Sequence, residues 1–162
     1  MKVYAPERMR VAAKAEYATR AVLHLAMQHP AVVTIHEIAA DNGIPVKYLE
    51  QILLELRRAA VVTSRRGVHG GYRLARDPSE ISVGEVLRVV DHRVMDSSCE
   101  QRNSERGFAC ADSEGCGLRR VWNEVQVAIE SILFTTTFAQ VCAASHCATP
   151  ARSNGKLHEL SV

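Results

Sequence analysis

Aromatic residues are scarce in this sequence: three Phe, four Tyr and one Trp make up 5% of 162 residues. With 47% hydrophobic content, the core has to be aliphatic, which suits a mainly helical chain. No window approaches 18 continuous apolar residues, which excludes a transmembrane helix. The N-terminal stretch MKVYAPERMR has no apolar segment of the kind a secretory signal needs. Both absences point to a cytoplasmic protein with no membrane partner. Disulfides are rare in that compartment, so the five cysteines read as metal ligands or redox-active thiols rather than crosslinks. Paired acid–base residues and a nucleophile elbow are also lacking, which argues against an enzyme. The net charge is only +2, so any appeal to a polyanionic partner needs a local concentration of charge.

That concentration lies in residues 45–76. Lys47, Arg57, Arg58, Arg65, Arg66, Arg73 and Arg76 stand against Glu50 and Glu55, a net +5, which leaves −3 for the remainder of the chain. Pro45 lacks an N–H and has a pre-set φ, so it suits the first position of a helix. Leu49, Ile52, Leu53 and Leu56 recur at three and four and form one apolar helix face. Lys47, Tyr48, Glu50 and Gln51 project from the other faces of the first two turns. Val61-Val62-Thr63 favours a strand, and Tyr72-Arg73-Leu74 can return antiparallel to it. Arg65, Arg66, Gly67, His69 and Gly70 make the basic, glycine-rich connection. A core helix, an ordinary hairpin and solvated arginines would share these features one by one. Their order, a helix and then a basic hairpin, is that of a winged helix-turn-helix, in which the helix reads a DNA major groove and the hairpin arginines reach phosphate or the minor groove.

The chain preceding this segment supplies the rest of such a head. Residues 1–9 are polar and non-periodic and read as a flexible extension. A helix is expected from Arg10, with Ala15, Ala18, Val22, Leu25 and Ala26 buried, ending at His29-Pro30. Thr34-x-x-Glu37 is a capping box for a short second helix with Ile35, Ile38 and Ala39 inward, and Asn42-Gly43 turns into the helix at 45. The winged helix-turn-helix domain then spans 10–78. Ser82-x-x-Glu85 caps a connecting helix within 79–90 whose stripe is Val83, Val86, Leu87 and Val90. From Asp91 to Gly115 apolar periodicity stops, and a run of that length is uncommon inside a compact domain, so either it is disordered or something other than a hydrophobic core orders it. Periodicity resumes through Leu118, Val121, Trp122, Val125, Ala128, Ile129, Ile132 and Leu133. This stripe is too long for one small head to bury, and a second copy of the same helix would cover it. The expectation is therefore a homodimer built on a long dimerisation helix within 117–145, with Thr136 or Thr137 capping a last short helix, and a disordered tail over 146–162.

Cys99, Cys110 and Cys116 are spaced C-x10-C-x5-C across the region 91–116. Three thiolates on one segment suit zinc or an iron–sulfur cluster. The spacing matches no tight C-x2-C zinc signature, so redox-active thiols without metal, and inert cysteines, stay open on the residues alone. Cys142 and Cys147 read as a small buried hydrophobe and a free tail thiol.

Beyond these local readings, MRVAAKAEYATRAVLHLA, the head VKYLEQILLELRRAAVVTSRRGVHGGYRLAR, the following ISVGEVLRVVD and the three cysteines before a long helix together resemble a known family over residues 9 to about 145. It is the Rrf-two family of bacterial winged-helix regulators of the IscR, NsrR, RirA and CymR types, and the three cysteines place the resemblance in its iron–sulfur-binding branch. The resemblance implies a homodimeric repressor or activator that binds a pseudo-palindromic DNA operator and carries a 2Fe–2S or 4Fe–4S cluster as a sensor of iron, redox state or nitric oxide. By the same resemblance, Tyr48, Glu50 and Gln51 correspond to base-reading residues, and Arg65 and Arg66, with 67–71, to the wing. Two departures stand out. The first cysteine gap is longer than in IscR- and NsrR-type members. The IscR-type histidine ligand is replaced by Arg119, whose guanidinium stays protonated and cannot ligate. NsrR-type members use an acidic residue of the first helix, and the matching position here is Glu16, so the implied ligand set is Cys99, Cys110, Cys116 and Glu16, with His92 a weaker candidate. The alternative from the same family is a CymR-like repressor without a cluster, controlled by cysteine oxidation or a partner protein.

Overall fold

The structure is a computed structural model that describes residues 11–67, 70–91 and 117–145. Helix α1 (Ala13–Met27) runs through the middle of the fold and packs against four other helices. Its buried face is mostly small: Ala15, Ala18 and Ala21 are fully enclosed, with Val22 and Leu25 beside them. The helix starts at Ala13, later than the expected Arg10. Ala12 is extended (φ −58°, ψ 140°) and offers no side-chain cap, and no Ser, Thr, Asp or Asn stands nearby to fix an earlier start.

Helix α2 (Ile35–Asn42) begins where the sequence signals it. The Glu37 N–H donates to Thr34 Oγ1 at 3.2 Å, and the Thr34 N–H donates to Glu37 Oε2 at 2.9 Å. Gly43, at φ 63°, ends it in the left-handed region. Helix α3 (Val46–Arg58) follows, with Leu49, Ile52, Leu53 and Leu56 fully buried. Pro45 is the cap residue rather than the first helical one. Its carbonyl accepts from the N–H groups of Tyr48 and Leu49, both at 3.0 Å, while its own missing N–H leaves no donor unsatisfied. Ala60 turns the chain from α3 into the hairpin at φ 56°, a position where L residues are strained.

Strand β1 (Val62–Arg65) pairs antiparallel with β2 (Gly71–Leu74), Val62 opposite Leu74 and Arg65 opposite Gly71. A third segment, ahead of α2, meets this sheet through a single residue. Val33 and Tyr72 exchange N–H···O bonds of 2.9 and 2.8 Å. At Gly71 the approach leaves no room for a side chain, since a Cβ would stand 2.3 Å from the Val33 carbonyl oxygen.

A short 3-10 turn (Pro78–Glu80) leads to α4 (Val83–Val90), capped by Ser82. Helix α5 (Gly117–Thr135) and α6 (Phe138–Ala144) complete the described chain, and Thr137 and Gln140 form the capping box of α6. The α5–α6 junction is pinned to the start of α4. The Val83 N–H donates to the Thr136 carbonyl at 2.9 Å, and the Phe138 N–H to the Ile81 carbonyl at 3.0 Å. Gly84 lets the Phe134 ring lie against the α4 backbone, and the Arg88 guanidinium sits over the same ring at 4.3 Å. One aliphatic cluster joins α1–α4, β1, β2 and Phe138 of α6, and among the described residues it buries no polar or charged one.

Two substitutions near the hairpin have opposite expected effects. Gly71→Ala drives a methyl into a backbone oxygen held in a sheet and costs about 2 kcal/mol or more. Ala60→Gly relieves the left-handed strain and stabilises by up to about 1 kcal/mol. Urea unfolding of the two variants beside the parent measures both.

Candidate nucleic-acid interface

The side of α3 away from the core carries Lys47, Glu50, Gln51, Leu54 and Arg58, all exposed. They repeat at three and four, so they form one outward stripe over three turns. Leu54 is absent from the sequence expectation and Arg58 enters it only as a charge, although the periodicity that buries Leu49 and Leu53 also sets these residues outward. Tyr48 behaves differently from its neighbours. It is half-buried, and its ring meets Tyr17 of α1 edge-on, with centroids 5.8 Å apart and planes at 80°. The position flanks the buried stripe, one turn before Ile52, which draws the ring inward. Lys14 of α1 reaches Glu55 of α3 at 2.8 Å. An aromatic pair and an ion pair therefore hold α3 at two points along α1 and fix which of its residues face out.

The hairpin sits beside that stripe. Arg65 and Arg66 are exposed at its tip, Gly67 takes φ 106°, and the Gly70 N–H donates to the Gly67 carbonyl at 2.8 Å. A Cβ on Gly70 would meet the Arg65 carbonyl at 2.5 Å, so this turn closes only around glycine. His69 lies outside the described residues. Arg57 donates to Ser64 Oγ at 3.2 Å, and Arg73 lies across the sheet toward Thr63, which keeps both cations on the hairpin surface. Arg76 departs from the group of seven cations, because its guanidinium is paired with Glu85 at the start of α4.

The second candidate region lies on the other side of α1. Glu16 is exposed and ion-paired with Arg20, one turn on, at 2.6 Å. Arg20 lines an open apolar groove of about 780 Å³ between α1, α4, α5 and α6. Val83, Leu87, Ile129, Ile132, Leu133, Phe138 and Val141 line it, as does Asp91, the residue from which the cysteine-bearing segment departs. Cys99, Cys110, Cys116 and His92 lie outside the described residues. Among the described residues no three His, Cys, Asp or Glu side chains gather as a metal site. Cys142 is half-buried in α6, and burial pushes its thiol pKa up, so it is a protonated, apolar-like group at neutral pH.

Along α5 the apolar stripe is uncovered. Leu118, Val121, Trp122, Val125 and Ile132 are 42–68% exposed, and Ile129 is half-buried at the groove. The opposite face of α5 is the one that packs, through Phe134 on Gly84. Among the described residues no helix is long and apolar enough to cross a membrane.

The family model for Rrf2, described as an iron-dependent transcriptional regulator, matches residues 11–144. Protein rrf2 of Nitratidesulfovibrio vulgaris is 35% identical over 136 residues, covering 82% of this chain and 87% of its own. Among solved structures, CymR of B. subtilis, titled the global cysteine regulator, superposes with a TM-score of 0.72 at 25% identity, over 85% of this chain and 98% of its own. T. potens IscR gives 0.68 at 31% identity, over 85% and 88%.

The seat of α3 on α1 is open to a direct check. Tyr17→Leu keeps an apolar side chain in place but removes the edge-on ring contact, and is expected to cost about 1 kcal/mol, read as a lower urea midpoint with an unchanged slope.

Proposed function

Because the chain belongs to the Rrf2 family and is a transcriptional regulator with a winged helix-turn-helix head, we propose that it works as a homodimer whose operator affinity is set by an iron–sulfur cluster. In this reading α3 enters the major groove with Lys47, Glu50 and Gln51 toward base edges, Tyr48 is steadied by Tyr17, and Arg65, Arg66, His69 and Gly70 bring the wing to the flanking backbone. The observation that carries the reading is one shared groove. Glu16's ion-pair partner Arg20, the root of the cysteine segment at Asp91, and Ile129 and Ile132 of α5 all border it. A second copy supplies the apolar cover that the stripe from Leu118 to Ile132 lacks, and isolated monomers seldom leave such a patch open.

The donor set fits a cluster. Cys99, Cys110 and Cys116 are soft thiolates, and Glu16 is tied only by an exposed pair worth a few tenths of a kcal/mol, so its carboxylate is free to turn to a metal. When bound, a cluster would supply a centre that responds to iron supply, oxidants or nitric oxide. A second reading draws on the likeness to CymR: control by cysteine oxidation or by a partner protein without metal. Disulfide-dependent DNA binding that ignores iron would favour it.

Two outcomes are expected. Anaerobic reconstitution should yield a coloured protein with stoichiometric iron and sulfide, and changing Cys99, Cys110 and Cys116 to Ser should abolish the colour and make operator affinity independent of iron. Glu16→Gln should weaken retention of the metal, whereas Arg119→Ala should not. Iron-free, colourless protein after reconstitution would sink the cluster reading. Separately, Val125→Glu should convert the dimer to a monomer in sedimentation velocity and reduce operator binding to that of a single half-site.

A further inference from the structure

Arg76 is the one cation of the segment 45–76 that has a carboxylate partner among the described residues. It lies two residues past the end of β2, and Glu85 lies in the first turn of α4. Arg76 Nη2 pairs with Glu85 Oε1, and Nη1 donates to the Glu80 carbonyl oxygen at 3.1 Å. One planar guanidinium therefore spans the 3-10 turn and the head of α4, and two acceptors at fixed angles set its orientation in a way that a single contact would not. Both side chains are about one-third exposed.

Besides Arg76, the hairpin is held by the Arg57 hydrogen bond from α3 to Ser64 and by Tyr72, which is partly buried against the core, and neither of these ties reaches α4. Its strands are four residues each, and a lone two-stranded hairpin is marginal in water. Val62 and Leu74 tie its base into the core, and one residue, Val33, pairs with Tyr72 along its outer edge. Toward α4, the chain from Ala75 to Glu80 is mostly exposed, and Arg76 is the side chain that bridges from it to a helix. We propose that Arg76 and Glu85 form a strut that positions the wing against α4, and that Arg76 is not a phosphate contact. This rests on the reading of the head as a DNA-binding winged helix. It gives α4, which leads directly to Asp91 and the cysteine segment, a side-chain connection to the wing.

The strut and the phosphate contact make different demands on the same two residues. The probe is a duplex selected from a randomised pool by the wild-type protein, titrated at several salt concentrations against wild type, Arg76→Ala, Glu85→Gln and the double variant. For a strut, each single variant weakens binding by a similar factor, about fivefold given the modest worth of an exposed pair. The double variant is then no weaker than either, and the salt slope is unchanged. For a phosphate contact, Arg76→Ala weakens binding and lowers the slope by about one, while Glu85→Gln is neutral or tightens it; that pattern overturns the proposal, as does no change in any variant.

Hydrogen exchange on the DNA-free protein supplies a readout independent of the operator. The strut predicts faster exchange at amides of residues 62–74 in both single variants, with α1 and α3 unchanged and the unfolding midpoint nearly so. Equal exchange in the wing of wild type and variants overturns it. Failure of the wild type to select any duplex would instead count against the DNA-binding reading, and the exchange result would still decide the strut.

Discussion

Three alanines on one face of α1 set how closely everything else in this protein can approach. Interhelical distance follows the size of the side chains at the seam, and Ala15, Ala18 and Ala21 are fully buried there. Because that face is thin, α2, α3, α4 and α6 all reach the same helix, and a chain with few aromatics still closes one continuous aliphatic core. Larger residues at these sites would push α3 outward and alter which of its faces meets solvent. The same economy of space recurs at Gly71 under the Val33 carbonyl and at Gly84 under the Phe134 ring. In each case the missing side chain permits a contact between elements far apart in sequence.

The second constraint is surface that one copy cannot cover. In α5 the stripe from Leu118 to Val125 is open to solvent and Ile129 and Ile132 line the groove, while Phe134 and the junction at Thr136 lock the other side onto α4. The helix is therefore anchored at its C-terminal end and presents apolar side chains along its length. Burial of such side chains from water is worth about 25 cal/mol per Å², so leaving them open forfeits more than any surface ion pair in the molecule can return. This imbalance supports reading the groove and the stripe as one self-complementary interface, as two-fold dimers require.

What was legible in the sequence was whatever local periodicity or local hydrogen bonding controls. The buried faces of α1, α3 and α4, and the capping box at Thr34, follow from spacing alone because the partners are three or four residues apart, whereas the cap of α6 is narrowed by sequence only to Thr136 or Thr137. The antiparallel hairpin was legible for the same reason. The bridge from Val33 to Tyr72 was not, since a single paired residue leaves no alternation to detect. Nor were the inward turn of Tyr48, the left-handed Ala60 and the pairing of Arg76 with Glu85, each decided by tertiary neighbours. Counting charges overstated the basic surface for this reason: Arg76 faces a carboxylate that lies outside the segment. The three cysteines of the segment 91–116 are legible as chemistry only, because sulfur ligands obey the geometry of what they bind and not a helical or strand repeat.

These constraints meet on α1. Neighbouring residues of one helix serve two regions: Lys14 and Tyr17 grip α3 through Glu55 and Tyr48, while Arg20 lines the groove and pairs with Glu16. A helix is stiff over a few turns, so its two faces cannot be displaced independently. In the proposed regulator, whatever holds the Glu16 carboxylate acts on the same rigid element that seats the reading helix. A chain with weak net charge needs such a connection more than a strongly basic one would. With only +2 overall, long-range attraction to DNA is modest, and small changes in how well α3 and the wing fit the duplex make up a larger share of the total affinity.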